Sequence, residues 1–438
     1  MSKNLEDIIR YLLILFGFVI SYLVLGFEAD QKVLWQATRV VGVYPIIDVL
    51  IYSHGQLATF ILYYNLQFLE FFGLNLWVIS SFLIYILSFH YLKKAFHQLG
   101  FNVWILVVLY LNPVVYQYVA WPFYSGISML GVSMFAYGTV RSFSGKSFDR
   151  HLILGILLFA IFNLKVNFVT TMLFLVPMFL FRSKLKLTLK KALLFGMVVS
   201  IPSIIQVVKN EIVFDRPIFS SWSKFNAGRA SCPNDVVGFS MITDEALTCE
   251  VDCEYREVEW LHDFRWNHHR ILNIGDAIDV GACFDPVYKL KHVLVSAVST
   301  TLYDPLDYDL VLTESPTVNF YNPIPLQFDW NTYQLTTAQY MINREPGLKV
   351  GRLNILGFLV FILAVSYLLL KTRLNEVHWF LGLVMLANCT FFILIDGQEG
   401  QRMLFPYYPI IWIILAAAFH QIVSNRNRNS SIMEENDK

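Results

Sequence analysis

The chain has 438 residues, of which 56% are hydrophobic and only 15% are charged. Soluble globular domains have about 45–50% apolar and about 25% charged residues, so this composition excludes an ordinary soluble protein and predicts a polytopic membrane protein. The 33 basic and 33 acidic residues cancel. Because the chain has no basic stripe and no reader motif, nucleic-acid binding has no support.

Long apolar runs predict an all-α protein with about ten transmembrane helices, since a helix needs about 20 residues to cross a bilayer. The first run has no small-residue cleavage site after it, so we interpret it as a retained span. The fifth and sixth runs are short and predict either a tight hairpin or a re-entrant loop. The predicted spans are residues 11–27, 75–92, 101–119, 123–140, 150–164, 167–182, 192–208, 353–370, 377–395 and 403–423.

Lysine and arginine residues predict the orientation of these spans. With the amino terminus in the cytoplasm, the short inner segments contain 17 basic residues and the short outer segments contain four. This asymmetry predicts that both termini lie inside. The chain then divides into an N-terminal membrane domain (1–208), a large outer domain (209–351), C-terminal membrane helices (352–423) and a disordered cytoplasmic tail (424–438).

The first outer loop, residues 28–74, carries three acids near the predicted membrane surface: Glu28, Asp30 and Asp48. Acids at a bilayer edge are costly unless they are solvated or paired, so they form a functional hypothesis. Alternatively, Glu28 and Asp30 are solvated charges outside a span, and Asp48 is half of a buried pair. The same loop contains an apolar, aromatic stretch over 57–76 that predicts an amphipathic interfacial helix.

Four of the five cysteines lie in the outer domain, for which we expect a mixed, irregular fold. An even set in one non-cytoplasmic loop predicts two disulfides in an oxidising compartment, with three pairings open. The domain has no N-glycosylation sequon, which is consistent with the periplasmic side of a bacterial inner membrane. The four are Cys232, Cys249, Cys253 and Cys283.

The order of these features resembles the GT-C-type membrane glycosyltransferases, a group that includes the protein O-mannosyltransferases and the aminoarabinose transferases of lipid A. The features are an acidic loop after the first span, the Leu111-Asn112-Pro113 end of a span before an aromatic turn, and Glu399-Gly400-Gln401-Arg402 before the last span. In those families an acidic pair follows the first span, whereas the matching place here reads Asp30-Gln31 with Glu28 two residues before, so the second acid is displaced or missing. His54 stands where they often show His-Pro-Pro.

The resemblance implies transfer of a sugar from a polyprenyl-phosphate donor to an envelope glycan, lipid or protein acceptor. Such transfer needs a base for the acceptor and positive charge for the phosphate. Asp30 is the predicted base and Asp48 the second choice. Arg402 and then Lys165 are the predicted phosphate ligands, although an interfacial anchor and a snorkelling lysine would look the same. Glu28, His54 and Glu399 complete the predicted substrate site.

No cofactor is assigned, and a divalent metal stays open because the outer segment HDFRWNHH (262–269) contains metal-ligating residue types. Its spacing matches no established pattern, so we favour ordinary loop surface. The alternative function is an O-antigen or polysaccharide polymerase or ligase, which would rely on outer-loop arginines such as Arg256, Arg265 and Arg270. A transporter ranks last, because the spans are nearly free of charge and no second half mirrors the first.

Overall fold

A computed structural model describes residues 3–25, 76–111, 115, 126–145, 147–162, 167–219, 223–233, 236–237, 268–299, 359, 363, 366–367, 375–395 and 405–436. Throughout these ranges the regular secondary structure is helical, and no strand occurs in them. The all-α prediction is confirmed for this part of the chain. The described segments of the outer domain are likewise helical, so none of them contributes a strand to the mixed fold expected there.

Nine helices form a bundle, and four short helices form a cap. The bundle helices are α1 (Lys3–Leu25), α2 (Leu76–Leu99), α3 (Val103–Tyr110), α4 (Ile127–Ser144), α5 (Arg150–Phe162), α6 (Asn167–Leu180), α7 (Leu189–Phe214), α12 (Glu376–Ile395) and α13 (Tyr408–Asn436). The cap helices are α8 (Ser223–Arg229), α9 (His268–Ala277), α10 (Val280–Cys283) and α11 (Pro286–Ser299). These counts refer to the described residues.

Local sequence explains several helix boundaries. The α2 helix ends at Leu99, because Gly100 after it has a φ of 74°, a left-handed conformation that glycine adopts without strain. The next helix, α3, begins because the Asn102 side chain accepts a hydrogen bond from the amide of Trp104 at 3.0 Å. Thr188 caps α7 by accepting from the Lys191 amide. The last helix continues to Asn436, through most of the segment for which disorder was predicted.

Two helical segments among the described residues are long and apolar enough to cross a membrane, Leu189–Ile212 and Phe405–Ser424. Three shorter apolar helices accompany them, at Arg150–Phe162, Val169–Leu180 and Glu376–Phe391. The length and composition of these segments are consistent with association with a membrane. The total of ten spans stays a prediction.

Contacts between α1, α2 and α3 fix their directions. On α1, Asp7 pairs with Lys93 of α2 at 2.9 Å, whereas Phe18 packs on Phe82 near the opposite end of α2. The two helices are therefore antiparallel. The α3 helix runs back beside α2, because Phe101 packs on Phe96 and the Tyr85 hydroxyl donates to the Tyr110 carbonyl. We call the end of the bundle that holds Asp7 and Lys93 the basal end.

Buried hydroxyls and glycines hold α4 at the centre of the bundle. Ser88 of α2 hydrogen-bonds to both Tyr110 and Ser133 at 2.7 Å. The contact between α4 and α5 is so close that a Cβ on Gly138 or Gly155 would collide with the backbone of the facing helix. Small residues that allow backbones to approach are typical of helix packing inside membranes.

The fifth and sixth predicted spans are two antiparallel helices. Phe159 of α5 packs against Phe174 of α6, and Phe181, which follows α6, packs on Phe143 beside the basal end of α4. The α6 helix therefore returns to the basal end, as both the tight hairpin and the re-entrant alternative predict. Lys184 then pairs with Glu376 at 2.6 Å and places the start of α12 at the basal end as well.

Candidate functional site

All seven residues predicted for the site lie outside the described residues. Glu28, Asp30, Asp48 and His54 lie in the 26–75 connection between α1 and α2. Lys165 lies between α5 and α6, and Glu399 and Arg402 lie between α12 and the short 3-10 helix Phe405–Tyr407 that precedes α13. Their catalytic and binding roles stay predictions. What the structure describes is the set of helix ends on either side of these three connections.

Those helix ends lie together at the end of the bundle opposite the basal end. Tyr407, the residue just before α13, donates a 2.8 Å hydrogen bond to Asn388 in the second half of α12. The same Tyr407 ring packs 5.7 Å from Phe159 near the end of α5. The α1 and α2 helices meet their connection at this end too, because they are antiparallel and their other ends carry Asp7 and Lys93.

The cap of helices α8–α11 packs at this same end, which we therefore call the capped end. A disulfide joins Cys232, just after α8, to Cys283 at the end of α10. Phe225, Cys232 and Val237 form a small buried core beneath it. Four outer cysteines can form two disulfides in three ways. Only one of these ways contains Cys232–Cys283, and in it the second disulfide would join Cys249 to Cys253. Cys249 and Cys253 lie outside the described residues.

An ion-pair network ties the cap to the end of α7. Asp276 of α9 pairs with Lys224 of α8 at 2.5 Å and with Arg216, which follows α7. These two cations hold the pKa of the Asp276 carboxyl below its usual value. Beside the network, the Asn210 side chain of α7 donates to the Ile218 carbonyl at 2.7 Å. The cap is thus attached to the point where α7 leaves the bundle.

Three basic residues come together where the cap meets the bundle, and we call them the basic cluster: Arg229, Lys289 and His292. Arg229 is 3% exposed and lies over the Phe225 ring at 5.7 Å, and His292 is 1% exposed beside Tyr288. Lys289 donates from Nζ to the carbonyl oxygen of Leu394 at 2.5 Å. That carbonyl is at the end of α12, where the Glu399–Arg402 connection begins.

The electrostatics of the basic cluster suit an anion. Burial, and then the charges of Lys289 and Arg229, lower the pKa of His292 to about 4. Neither ring nitrogen of His292 has a hydrogen-bond partner among the described residues. An anion placed here would accept hydrogen bonds and would offset the positive charges of Arg229 and Lys289. Phosphate and carboxylate are the anions whose oxygens match arginine donors in this way.

The described residues contain no group of three or more metal-ligating side chains. Of the HDFRWNHH segment that raised the question of a metal, only His268 and His269 are described, as the backbone that opens α9. The described residues therefore offer no ligand set for a divalent ion.

Sequence reasoning did not identify the basic cluster. Arg229 and His292 are 63 positions apart, and no local pattern links them. One sequence feature could have indicated it. Lys289 and His292 are three residues apart, which places them on one face of a helix, and they follow an outer-domain cysteine. No known protein family, curated protein or solved structure matches this chain.

Proposed function

We propose that this protein is a polytopic membrane glycosyltransferase that moves a sugar from a polyprenyl-phosphate donor to a glycan, lipid or protein acceptor. The observation that supports it is the common location of three sets of helix ends. The connections that carry Asp30, Lys165 and Arg402 all begin and end at the capped end of the bundle. A base and phosphate-binding cations on those connections would meet over one face of the membrane.

In the proposed reaction, Asp30 removes the proton from the acceptor hydroxyl or amine, with Asp48 as second choice. The acceptor atom attacks the anomeric carbon of the sugar, and the bond from that carbon to the phosphate oxygen breaks. Polyprenyl phosphate leaves with the bonding electrons and needs little protonation. One displacement inverts the anomeric configuration. Arg402 and Lys165 hold the leaving phosphate, and Glu28, His54 and Glu399 position the substrates.

The basic cluster supplies further positive charge at the same end. Lys289 is bonded to the end of α12 at Leu394, eight residues before Arg402 in the chain. Arg229 and His292 lie behind it within the cap. Preorganised cations that need no rearrangement during the reaction stabilise a developing phosphate charge most effectively. We therefore add the basic cluster to the proposed donor site.

The proposed topology has ten spans with both termini in the cytoplasm of a bacterium, and the chain lies in the inner membrane. Support comes from the two long apolar segments and from the directions of the described bundle helices, which alternate from α1 to α7 and again from α12 to α13. The basal end, which is the cytoplasmic end in this topology, is held by charged groups. Asp149 binds Arg141 at 3.1 Å and His151 at 2.7 Å.

The second candidate is a polysaccharide polymerase or ligase. One observation favours it, namely that the described part of the outer cap contains a buried arginine, Arg229. An enzyme that joins two glycans, each carried on a lipid pyrophosphate, would use outer-domain arginines to bind the pyrophosphate group of each substrate. Both candidates place Arg229 in a phosphate-binding site, but a polymerase or ligase would not depend on Asp30, and this difference separates the two.

The test uses the full-length protein in lipid nanodiscs with a radiolabelled sugar on polyprenyl phosphate, supplied as a series of different sugars. We expect the wild type to release polyprenyl phosphate and the variant Asp30→Asn to lose at least 100-fold in rate, as general-base loss typically does. Asp276→Asn is the matched control, because that acid belongs to the cap. Full activity of Asp30→Asn would exclude it as the base. Turnover of pyrophosphate-linked oligosaccharides instead would favour the second candidate.

A further inference from the structure

Helix α11 exposes an apolar stripe. Val287 is 75% exposed, Leu290 is 60% exposed and Leu294 is 58% exposed. Steps of three and four residues place them on one face of the helix. The opposite face is covered, since His292 is 1% exposed and Tyr288 packs beside it. Three large apolar side chains in a row on a short helix need a partner that is itself apolar.

The position of α11 indicates which apolar partner is available. The Lys289 ammonium is bonded to the carbonyl oxygen of Leu394, at the last turn of α12. Asp285 accepts hydrogen bonds from the amides of Val287 and Tyr288, at 2.8 and 3.2 Å, and fixes the start of the helix. The helix is therefore held at the level where an apolar bundle helix ends, which is the level of a bilayer interface.

One exposed cation lies within the stripe. Lys291 is exposed and falls four residues after Val287 and three before Leu294, so it shares their face. In a contact with a second protein surface this ammonium would be buried at a cost. At a bilayer surface its apolar stem covers acyl chain while the charge reaches the phosphate headgroups. The stripe and its lysine together therefore fit a lipid surface and not a second copy of the chain.

We propose that α11 is a membrane-embedded interfacial helix. Val287, Leu290 and Leu294 contact the acyl chains of the outer leaflet, and Lys291 contacts the lipid phosphates. This rests on the membrane location in the proposed function and not on the identity of the reaction. The helix then places the buried face that carries His292 at the depth at which the phosphate of a lipid-linked substrate lies.

The test measures lipid contact at single positions of the full-length protein in nanodiscs of phosphatidylcholine and phosphatidylglycerol. Single cysteines introduced by Leu290→Cys, Ile204→Cys and Val236→Cys are labelled with a fluorophore, and the signal of the wild-type chain is subtracted. All three positions are about half exposed or more. Ile204 lies on α7 as the lipid control, and Val236 lies in the cap as the water control. The quencher is a phosphatidylcholine with a nitroxide on its acyl chain.

We expect quenching at Leu290 to reach at least half of that at Ile204 and three times that at Val236. Quenching at Leu290 equal to that at Val236, while Ile204 is quenched, would overturn the interfacial helix and leave the membrane location standing. Absence of quenching at Ile204 would overturn the membrane location and the inference with it. Protection of Leu290 that grows with protein concentration and ignores the quencher would assign the stripe to a second copy and also overturn the proposal.

Discussion

Lys289 donates a hydrogen bond of 2.5 Å to the carbonyl oxygen of Leu394, across 105 positions of the chain. The bond satisfies a carbonyl at the end of α12 that has no partner further along its own helix. It also joins the cap to the bundle at a residue that lies three positions before His292 on α11. One contact thus links the helix that precedes Arg402 to the buried basic groups of the cap.

Lys289→Met is expected to loosen α11 from the bundle without unfolding either. The variant loses a charge-assisted hydrogen bond worth about 1–3 kcal/mol. Hydrogen exchange of residues 286–299 should therefore become faster, whereas exchange in α4 should stay unchanged. Lys190→Met is the matched control, since that lysine is exposed at the start of α7, away from the cap. Equal exchange in both variants would show that the Leu394 contact does not hold the cap.

Removal of the disulfide is expected to destabilise the cap. Cys232 and Cys283 close a loop with a sequence separation of 51. The loop-entropy relation predicts a loss of roughly 4 kcal/mol from the free energy of unfolding of the cap. Proteolysis of Cys232→Ser should cut the cap first, and Cys389→Ser should resemble the wild type. Peptide mapping that finds Cys232 joined to Cys249 or Cys253 would contradict the pairing.

Gly138→Ala is expected to destabilise the bundle by about 1–3 kcal/mol, because a new Cβ would meet the backbone of Leu152 on α5. Gly382→Ala is the matched control on α12, where a Cβ would meet nothing within 4 Å. In a helix interior that second change should stabilise by up to about 1 kcal/mol. Thermal unfolding of the purified variants measures the difference, and similar melting temperatures would contradict the close contact of α4 with α5.

His292 should make the stability of the cap fall in weak acid. The pKa of His292 is about 4 in the folded cap against an ordinary value of 6.5, so the unfolded chain binds the proton more readily. The stability that the neutral ring contributes is fully present above pH 6.5 and is lost as the pH falls from 6.5 towards 4. Unfolding of His292→Phe should lack this part of the pH dependence. An unchanged slope between pH 6.5 and 4 would contradict the buried, neutral state.

Hydropathy predicted the helices of the bundle well but their ends less well. The span predicted over 75–92 is a helix over Leu76–Leu99, and the span predicted over 192–208 is Leu189–Phe214. Both helices continue beyond the apolar run, because their polar ends bind other protein groups. Lys93, for example, is buried against Asp7 and the Tyr11 ring. A hydropathy scale scores how apolar each residue is, and it contains no information about ion pairs or ring contacts with other parts of the protein.

The capped end shows what a single sequence cannot provide. The outer cysteines predicted disulfides, but the choice of Cys283 as the partner of Cys232 depends on the packing of Phe225 and Val237 between α8 and α10. The interfacial character of α11 was hidden, because Val293–Val298 fits a strand or a helix equally well. The exposed apolar stripe of α11 is defined by the tertiary structure, because only the packing shows that the opposite face, with His292, is buried. The predicted acids and Arg402 stay predictions.

The central claim is that the connections with Asp30, Lys165 and Arg402 open on the same outer face. Its most direct test is labelling of intact cells with a maleimide that cannot cross the inner membrane, after outer-membrane permeabilisation, in the variants Gln31→Cys, Asn163→Cys and Gln401→Cys. Lys184→Cys marks the basal end. The account predicts labelling above the wild-type background at the first three positions and none at the fourth before lysis. Labelling of Lys184→Cys together with protection of Gln31→Cys or Gln401→Cys would contradict it.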